Sequence, residues 1–224
     1  MNRVGEAQYG SQIEQMRAEG LPSLGYMSGH TYMTDPKRLL FVLSRYKFVS
    51  RMFQGIDQVL EVGCGDAFGT RLVAQSVGRV TGLDFDPDLL ESARANNRAP
   101  FECDFVKHDI VNAPYRGDFS AVYSLDVIEH IEPANEDAFI RNIIKSAKST
   151  ASFIFGCPSF ESQEYASLAS KLGHVNCKTE DQLRSTMQKH FNNVFLFGMN
   201  DEVAHTGFGK MSHYRIALCC GPKA

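Results

Sequence analysis

The sequence predicts an α/β domain with a mainly parallel sheet covered by helices on both faces. Three observations point there. Short apolar runs recur from residue 58 onward, segments with helical apolar spacing lie between them, and Asp-Pro or Thr-x-x-Gln signals mark helix starts. At 224 residues, 43% hydrophobic and 22% charged, the chain suits one such domain with a terminal extension. We place the extension at residues 1–34 and the domain at 35–224.

Residues 1–34 are glycine-rich and irregular, with a short helix expected around Ile13–Ala18. Asp35 then caps a helix and Pro36 fits its first position, where no N–H donor is needed. Leu39, Val42, Leu43, Tyr46, Val49 and Phe53 recur at helical spacing until Gly55 stops the run. Gln58–Val62 reads as the first strand, 71–77 as helix and 79–85 as the second strand. Asp86-Pro87 repeats the start signal for a helix reaching about Asn96. Further strands are expected at 105–107, 121–125, 152–155, 194–197 and 214–219, seven in all. A helix after Pro133 sets Phe139, Ile140, Ile143, Ile144 and Ala147 on one face, and Thr179-x-x-Gln182 opens another that ends at His190. Ligands of such sheets bind beyond the C-terminal strand ends. The loops after residues 62, 84, 107, 125 and 199 are therefore expected on one rim.

A net charge of −3 argues against a duplex nucleic-acid partner, which usually demands a basic excess. The six cysteines include no Cys-x-x-Cys pair, so a structural zinc site is not expected and the thiols read as reduced, in a cytoplasmic protein. Residues 1–20 lack the apolar stretch of a signal peptide, and no run approaches the ~20 apolar residues of a membrane span.

The most informative segment is Val59-Leu60-Glu61-Val62-Gly63-Cys64-Gly65-Asp66. A strand ending in paired glycines lets the backbone turn sharply and approach a ligand. The helix that follows turns its N–H groups toward that ligand. About 20 residues later, Asp84 puts a carboxylate at the end of the next strand, where an acid can grip ribose hydroxyls. A dinucleotide fingerprint would need a third glycine where Phe68 stands. Glu61 has no role beside a pyrophosphate but makes sense near a cationic ligand.

Residues 59–66 resemble the first motif of class I S-adenosylmethionine-dependent methyltransferases, and Asp84 matches their ribose-binding acid. The resemblance spans roughly residues 36–220 and implies a Rossmann-like sheet whose last strand is antiparallel, under an N-terminal helical cap. It also implies S-adenosylmethionine as cofactor, held by Glu61, Gly63, Cys64, Gly65, Asp84, Phe85, Asp109, Ile110 and Leu125. Phe85 would lie against the adenine and Asp109 would meet its amino group. Ala67 departs from the family, many of whose members have a third glycine there.

Leu125-Asp126-Val127-Ile128-Glu129-His130 supplies the candidate catalytic groups, Glu129 and His130. If this stretch takes a helical turn, Asp126, Glu129 and His130 converge on one face. The segment resembles O-methyltransferases of the ubiquinone-biosynthesis type and small-RNA 3′-end 2′-O-methyltransferases, in which an acid-x-x-Glu-His set accompanies a divalent metal. His174 could match a further histidine of the RNA enzymes. A metal here is an option, not the favoured one; His130 as general base serves equally. The polar loop at 199–213, with Asp201 and His205, and the segment around His30 and Tyr32 are expected to contact the acceptor, the latter as a lid.

The expected activity is methyl transfer to oxygen on a small or carbohydrate-like acceptor. N-methylation and RNA-end methylation share the same cofactor site. A nucleotide-dependent oxidoreductase and a cofactor-binding regulator without catalysis are the readings of other classes. Oligomeric state stays open.

Overall fold

The computed structural model describes residues 6–223. Two short helices, α1 (Gly10–Glu19) and α2 (Tyr26–Thr34), precede the long α3 (Pro36–Met52). The sheet region then runs β1 (Gln58–Val62), α4 (Thr70–Ala74), β2 (Arg79–Asp84), α5 (Pro87–Ala95), β3 (Asp104–Lys107) and β4 (Phe119–Leu125). It continues with α6 (Glu136–Lys145), β5 (Ala147–Pro158), α7 (Leu168–Gly173) and α8 (Glu180–His190). The chain closes with β6 (Phe191–Asn200), β7 (Val203–His205) and β8 (Tyr214–Pro222).

All eight strands form one sheet in the order β3-β2-β1-β4-β5-β8-β6-β7. Strands β1 to β5 are mutually parallel, and β8 inserts antiparallel between β5 and β6. The count is eight, not seven. The extra strand, β7, is three residues inside the polar 199–213 loop, paired antiparallel with Gly198–Asn200. Such a short polar strand leaves no apolar alternation to read.

Two of the three helix-start signals act through side-chain caps; Asp35 stands at the N-cap of α3, ahead of Pro36, but its side chain makes no capping hydrogen bond. The Asp86 side chain accepts from the N–H groups of Asp88 at 2.8 Å and Leu89 at 3.3 Å. Thr179 and Gln182 bond reciprocally in a capping box. Two helices escaped the periodicity: α2, with Gly29 and polar residues inside it, and the six-residue α7.

Alternation along β1 decides which face each residue serves. Leu60 and Val62 join a core layer with Phe139, Ile140 and Ile143 of α6 and Leu183 and Met187 of α8. Val59 joins the opposite layer with Tyr46, Val49 and Phe53 of the α3 region and Val73 of α4. Each such apolar side chain contributes roughly 1.5–3 kcal/mol when fully buried. Glu61 shares the Val59 face, so this carboxylate is 1% exposed beneath α3 and α4.

Candidate active site

The turn after β1 has left-handed geometry at Gly63 (φ +79°) and Gly65 (φ +55°). A Cβ on Gly63 would also collide with Val127, so glycine is required there on two counts. Ala67 keeps the left-handed conformation at φ +57° despite its methyl group. The turn is tied to the neighbouring strand: the Gly65 N–H donates to Asp84 Oδ2 at 2.8 Å, and the Asp86 N–H to Asp84 Oδ1 at 3.0 Å. Asp84 thus stands at the rim, 8% exposed, beside the turn.

Glu61 does not face the ligand space, as the sequence had suggested. It accepts from Tyr46 Oη at 3.0 Å, Tyr123 Oη at 2.8 Å and Thr70 Oγ1 at 2.5 Å. Burial pushes its pKa up to about 7, although the three hydroxyls pull it down. Its task is internal, pinning α3, α4 and β4 under the turn.

A cavity of about 260 Å³ opens above Gly63–Asp66 and is closed on the far side by Asp126, Glu129, His130 and His174. A larger hollow of about 410 Å³ lies beside it, between α1 and the α4–α5 side. That hollow contains none of the acid-histidine groups, so the smaller cavity is the candidate site. Met27, Ser28 and Thr31 of α2 line it, in the segment expected as a lid. His30 and Tyr32 lie outside its wall, and Tyr32 is 53% exposed: α2 is a helix, and its inward face carries the other residues. The lid is latched to the glycine turn. Asp66 Oδ2 accepts the Ser28 N–H at 2.7 Å and Asp66 Oδ1 the Ser28 hydroxyl at 3.0 Å.

Beyond β4 the backbone enters the left-handed region at Asp126 (φ +58°), then forms a tight turn over Ile128–His130. Ile128 anchors that turn in the core. Asp126, Glu129 and His130 all border the cavity, but Asp126 does not join the other two as a helical turn would make it. Instead both Asp126 oxygens accept from Arg45 Nη1, at 2.6 and 2.7 Å, and Arg45 stacks 3.8 Å from the Tyr214 ring centre. Glu129 is 1% exposed with Oε2 lacking a hydrogen-bond partner. Burial, and then the Asp126 charge, raise its pKa well above the usual carboxylate range.

The two histidines complete the group. His130 Nδ1 donates to the Gly173 carbonyl at 2.9 Å, and His174 Nδ1 meets Gln163 Oε1 at 2.8 Å. A carbonyl can only accept, so the proton is on Nδ1 and the Nε2 lone pair is free. Burial, reinforced by His130, lowers the His174 pKa and favours its neutral form. Donor atoms of Glu129, His130 and His174 lie within 4.8 Å of one another. One orphaned carboxylate oxygen, two imidazole nitrogens and carbonyl partners behind them fit a divalent cation.

Other expected contacts fall elsewhere. Phe85 is 70% exposed outside the cavity. Asp109 is held in a local turn, accepting from Val111 N at 3.0 Å and Asn112 Nδ2 at 2.6 Å. The Ile110 side chain is in the core, while Leu125 and Cys64 do line the cavity. Asp201 and His205 border a separate hollow within the 199–213 loop, where His205 Nε2 pairs with Asn200 Oδ1 at 2.7 Å. The loop's own hairpin turns them away from the site. Sequence reading missed Arg45 and Gln163; both act through contacts between distant segments that leave no local pattern.

Residues 59–150 match a family model described as a methyltransferase domain. The fold agrees over most of the chain with the N-methyltransferase NodS of Bradyrhizobium japonicum WM9, solved with S-adenosyl-L-homocysteine (TM-score 0.66, 16% identity, 94% of this chain and 98% of that one).

The fold is a methyltransferase fold.

The fold is equally similar to the methyltransferase domain of bacterial CtHen1-C (TM-score 0.64, 18% identity, 80% of this chain and 98% of that one). The DhpI complex with S-adenosylhomocysteine has a TM-score of 0.64 at 16% identity, over 95% of this chain and 97% of that one. Among curated proteins, trans-aconitate 2-methyltransferase of Rhizobium rhizogenes is 44% identical over 57 residues. That match spans 25% of this chain and 21% of that protein. Among the described residues, no helix is long and apolar enough to cross a membrane.

Proposed function

We propose that this protein transfers the methyl group of S-adenosylmethionine to a hydroxyl oxygen of a small or carbohydrate-like acceptor. One observation carries the reading: the Asp84 carboxylate, bonded to Gly65 N–H at 2.8 Å, borders a glycine turn that opens on a cavity walled by acid and histidine. In this reading Asp84 accepts from the ribose hydroxyls, Phe85 lies on the adenine and Asp109 receives its amino group. Ile110, with its side chain in the core, offers only its backbone. Residues 1–34 act as cap and lid. Six unpaired cysteines support a reducing compartment such as the cytoplasm.

Methyl transfer is an in-line displacement from a sulfonium that is already a good leaving group, so the protein must align the acceptor and relieve it of its proton. His130, exposed at the cavity and fixed by Gly173, is the group placed to take that proton at Nε2. In the alternative, a divalent ion held by Glu129, His130 and His174 would occupy that same Nε2 and lower the hydroxyl pKa in place of the base.

The same three side chains favour a second reading, 2′-O-methylation at an RNA 3′ end. Likeness in fold to the small RNA methyltransferase HEN1 (TM-score 0.65, 17% identity, 82% of this chain and 26% of that one) supports keeping it, although the net charge of −3 supplies no broad basic surface. Calorimetry with S-adenosylhomocysteine and with nicotinamide dinucleotides tests the cofactor half, and a labelled-methyl screen over sugars, phenols, amines and RNA ends tests the acceptor half. Failure to bind S-adenosylhomocysteine would sink both readings.

A further inference from the structure

Within the acid-histidine wall, the side chain that stands out is Arg45. It comes from α3, 81 positions before Asp126 in sequence, and only about an eighth of its side chain is exposed. Its Nη1 takes both oxygens of Asp126, its guanidinium lies against the Tyr214 ring, and its buried Nε has no partner. A buried guanidinium of this kind is expensive to leave unpaired, so the pairing with Asp126 is firmly held. Asp126 in turn sits in a left-handed conformation that aims it at Arg45. Three residues further on, Glu129 keeps a free, buried oxygen toward His130 and His174. Two carboxylates therefore border one cavity, and the fold gives them different work.

We infer that Arg45 is a positioning residue that engages both oxygens of Asp126 at the cavity wall, so that three protein donors, Glu129, His130 and His174, and not four, face a divalent cation there. This rests on the divalent option of the proposed function. It predicts that Asp126 is not a ligand although it belongs to the acid-x-x-Glu-His pattern. Fewer protein donors leave more of the ion's surface for the acceptor, which is how catalytic sites differ from closed structural ones.

The test is titration of the metal-free protein with Mn²⁺, followed by electron paramagnetic resonance, on four variants. Glu129→Gln removes a donor and is expected to weaken Mn²⁺ by about 10-fold or more. Arg45→Gln releases Asp126 to the cation and is expected to tighten Mn²⁺ by about 10-fold. The double variant Arg45→Gln/Asp126→Asn keeps the net charge of the pair and should return within about 3-fold of the parent, because distant or neutral changes leave the donor set intact. Arg45→Lys keeps a cation for Asp126 but loses the planar group that lies on the Tyr214 ring, and should fall between parent and Arg45→Gln. Binding of S-adenosylhomocysteine to each variant reports that the fold is intact. Loss in the double variant as large as in Glu129→Gln would overturn the inference, since Asp126 would then be a ligand. Unchanged Mn²⁺ affinity in Arg45→Gln would overturn it too. No Mn²⁺ binding by the parent, with S-adenosylhomocysteine still bound, would remove the cation while leaving methyl transfer standing.

Discussion

Asp84 and Gly65 are joined across two strands: the carboxylate at the end of β2 accepts the glycine N–H at 2.8 Å. One side chain thus shapes the turn and presents an acid at its mouth. Replacing Asp84 by Ala should weaken S-adenosylhomocysteine binding by about 1–3 kcal/mol, the loss expected for a charged hydrogen-bond acceptor. Asp84→Asn keeps an oxygen for Gly65 and should recover the turn but not the full affinity. Calorimetry reads both, and parent-like affinity in Asp84→Ala would end the ribose assignment.

Glu61 gives the protein a pH response of its own. Its folded-state pKa of about 7 lies above the ordinary 4.5 because the carboxylate is buried. A raised carboxyl pKa stabilises the fold fully below about 4.5, and that contribution is lost as pH climbs through about 7. Relative to Glu61→Gln, the parent should lose stability on the order of 1 kcal/mol per pH unit over the steep part of that window. Denaturant midpoints at a series of pH values read this directly. Parallel profiles for parent and variant would mean that folding does not raise the Glu61 pKa.

The latch between Asp66 and Ser28 should govern the lid. Two hydrogen bonds join them, and the carboxylate lies at the positive N-terminal end of α2. Asp66→Ala should destabilise α2 locally by about 1–2 kcal/mol, speeding exchange of its amides roughly 5- to 30-fold. The β1 amides should keep their protection. Equal exchange in α2 of parent and variant would show that the lid is held elsewhere.

His130 offers the separation of binding from turnover. His130→Ala should bind S-adenosylhomocysteine like the parent, because the histidine lies on the acceptor side of the cavity. Turnover on an acceptor found by screening should drop by ~10²-fold or more if the imbalance is loss of a base. A chelator that inhibits the parent, reversed by added magnesium or manganese, would assign the effect to the cation. Full activity without His130 would make it structural.

Much of this was legible in the chain itself. Gln58–Val62, Asp86-Pro87 and the Thr179–Gln182 box act through local rules of spacing and capping, and each occupies the element expected of it. The Gly63–Gly65 turn and Asp84 were legible for the same reason: backbone freedom and strand ends are properties of short segments. Phe85 and Asp109 were assigned by motif position alone, and neither lines the cavity.

By itself the sequence determined the strand-helix order, the bend after β1 and the acid one strand away, since each depends on residues within a few positions. Only the tertiary structure decided which carboxylates are free. Glu61 and Asp126 look as available as Glu129 on paper, yet Tyr46, Thr70 and Tyr123 consume the first and Arg45 the second. Hydrogen-bond capacity is settled by whatever packs alongside, and those partners come from elements far away along the chain.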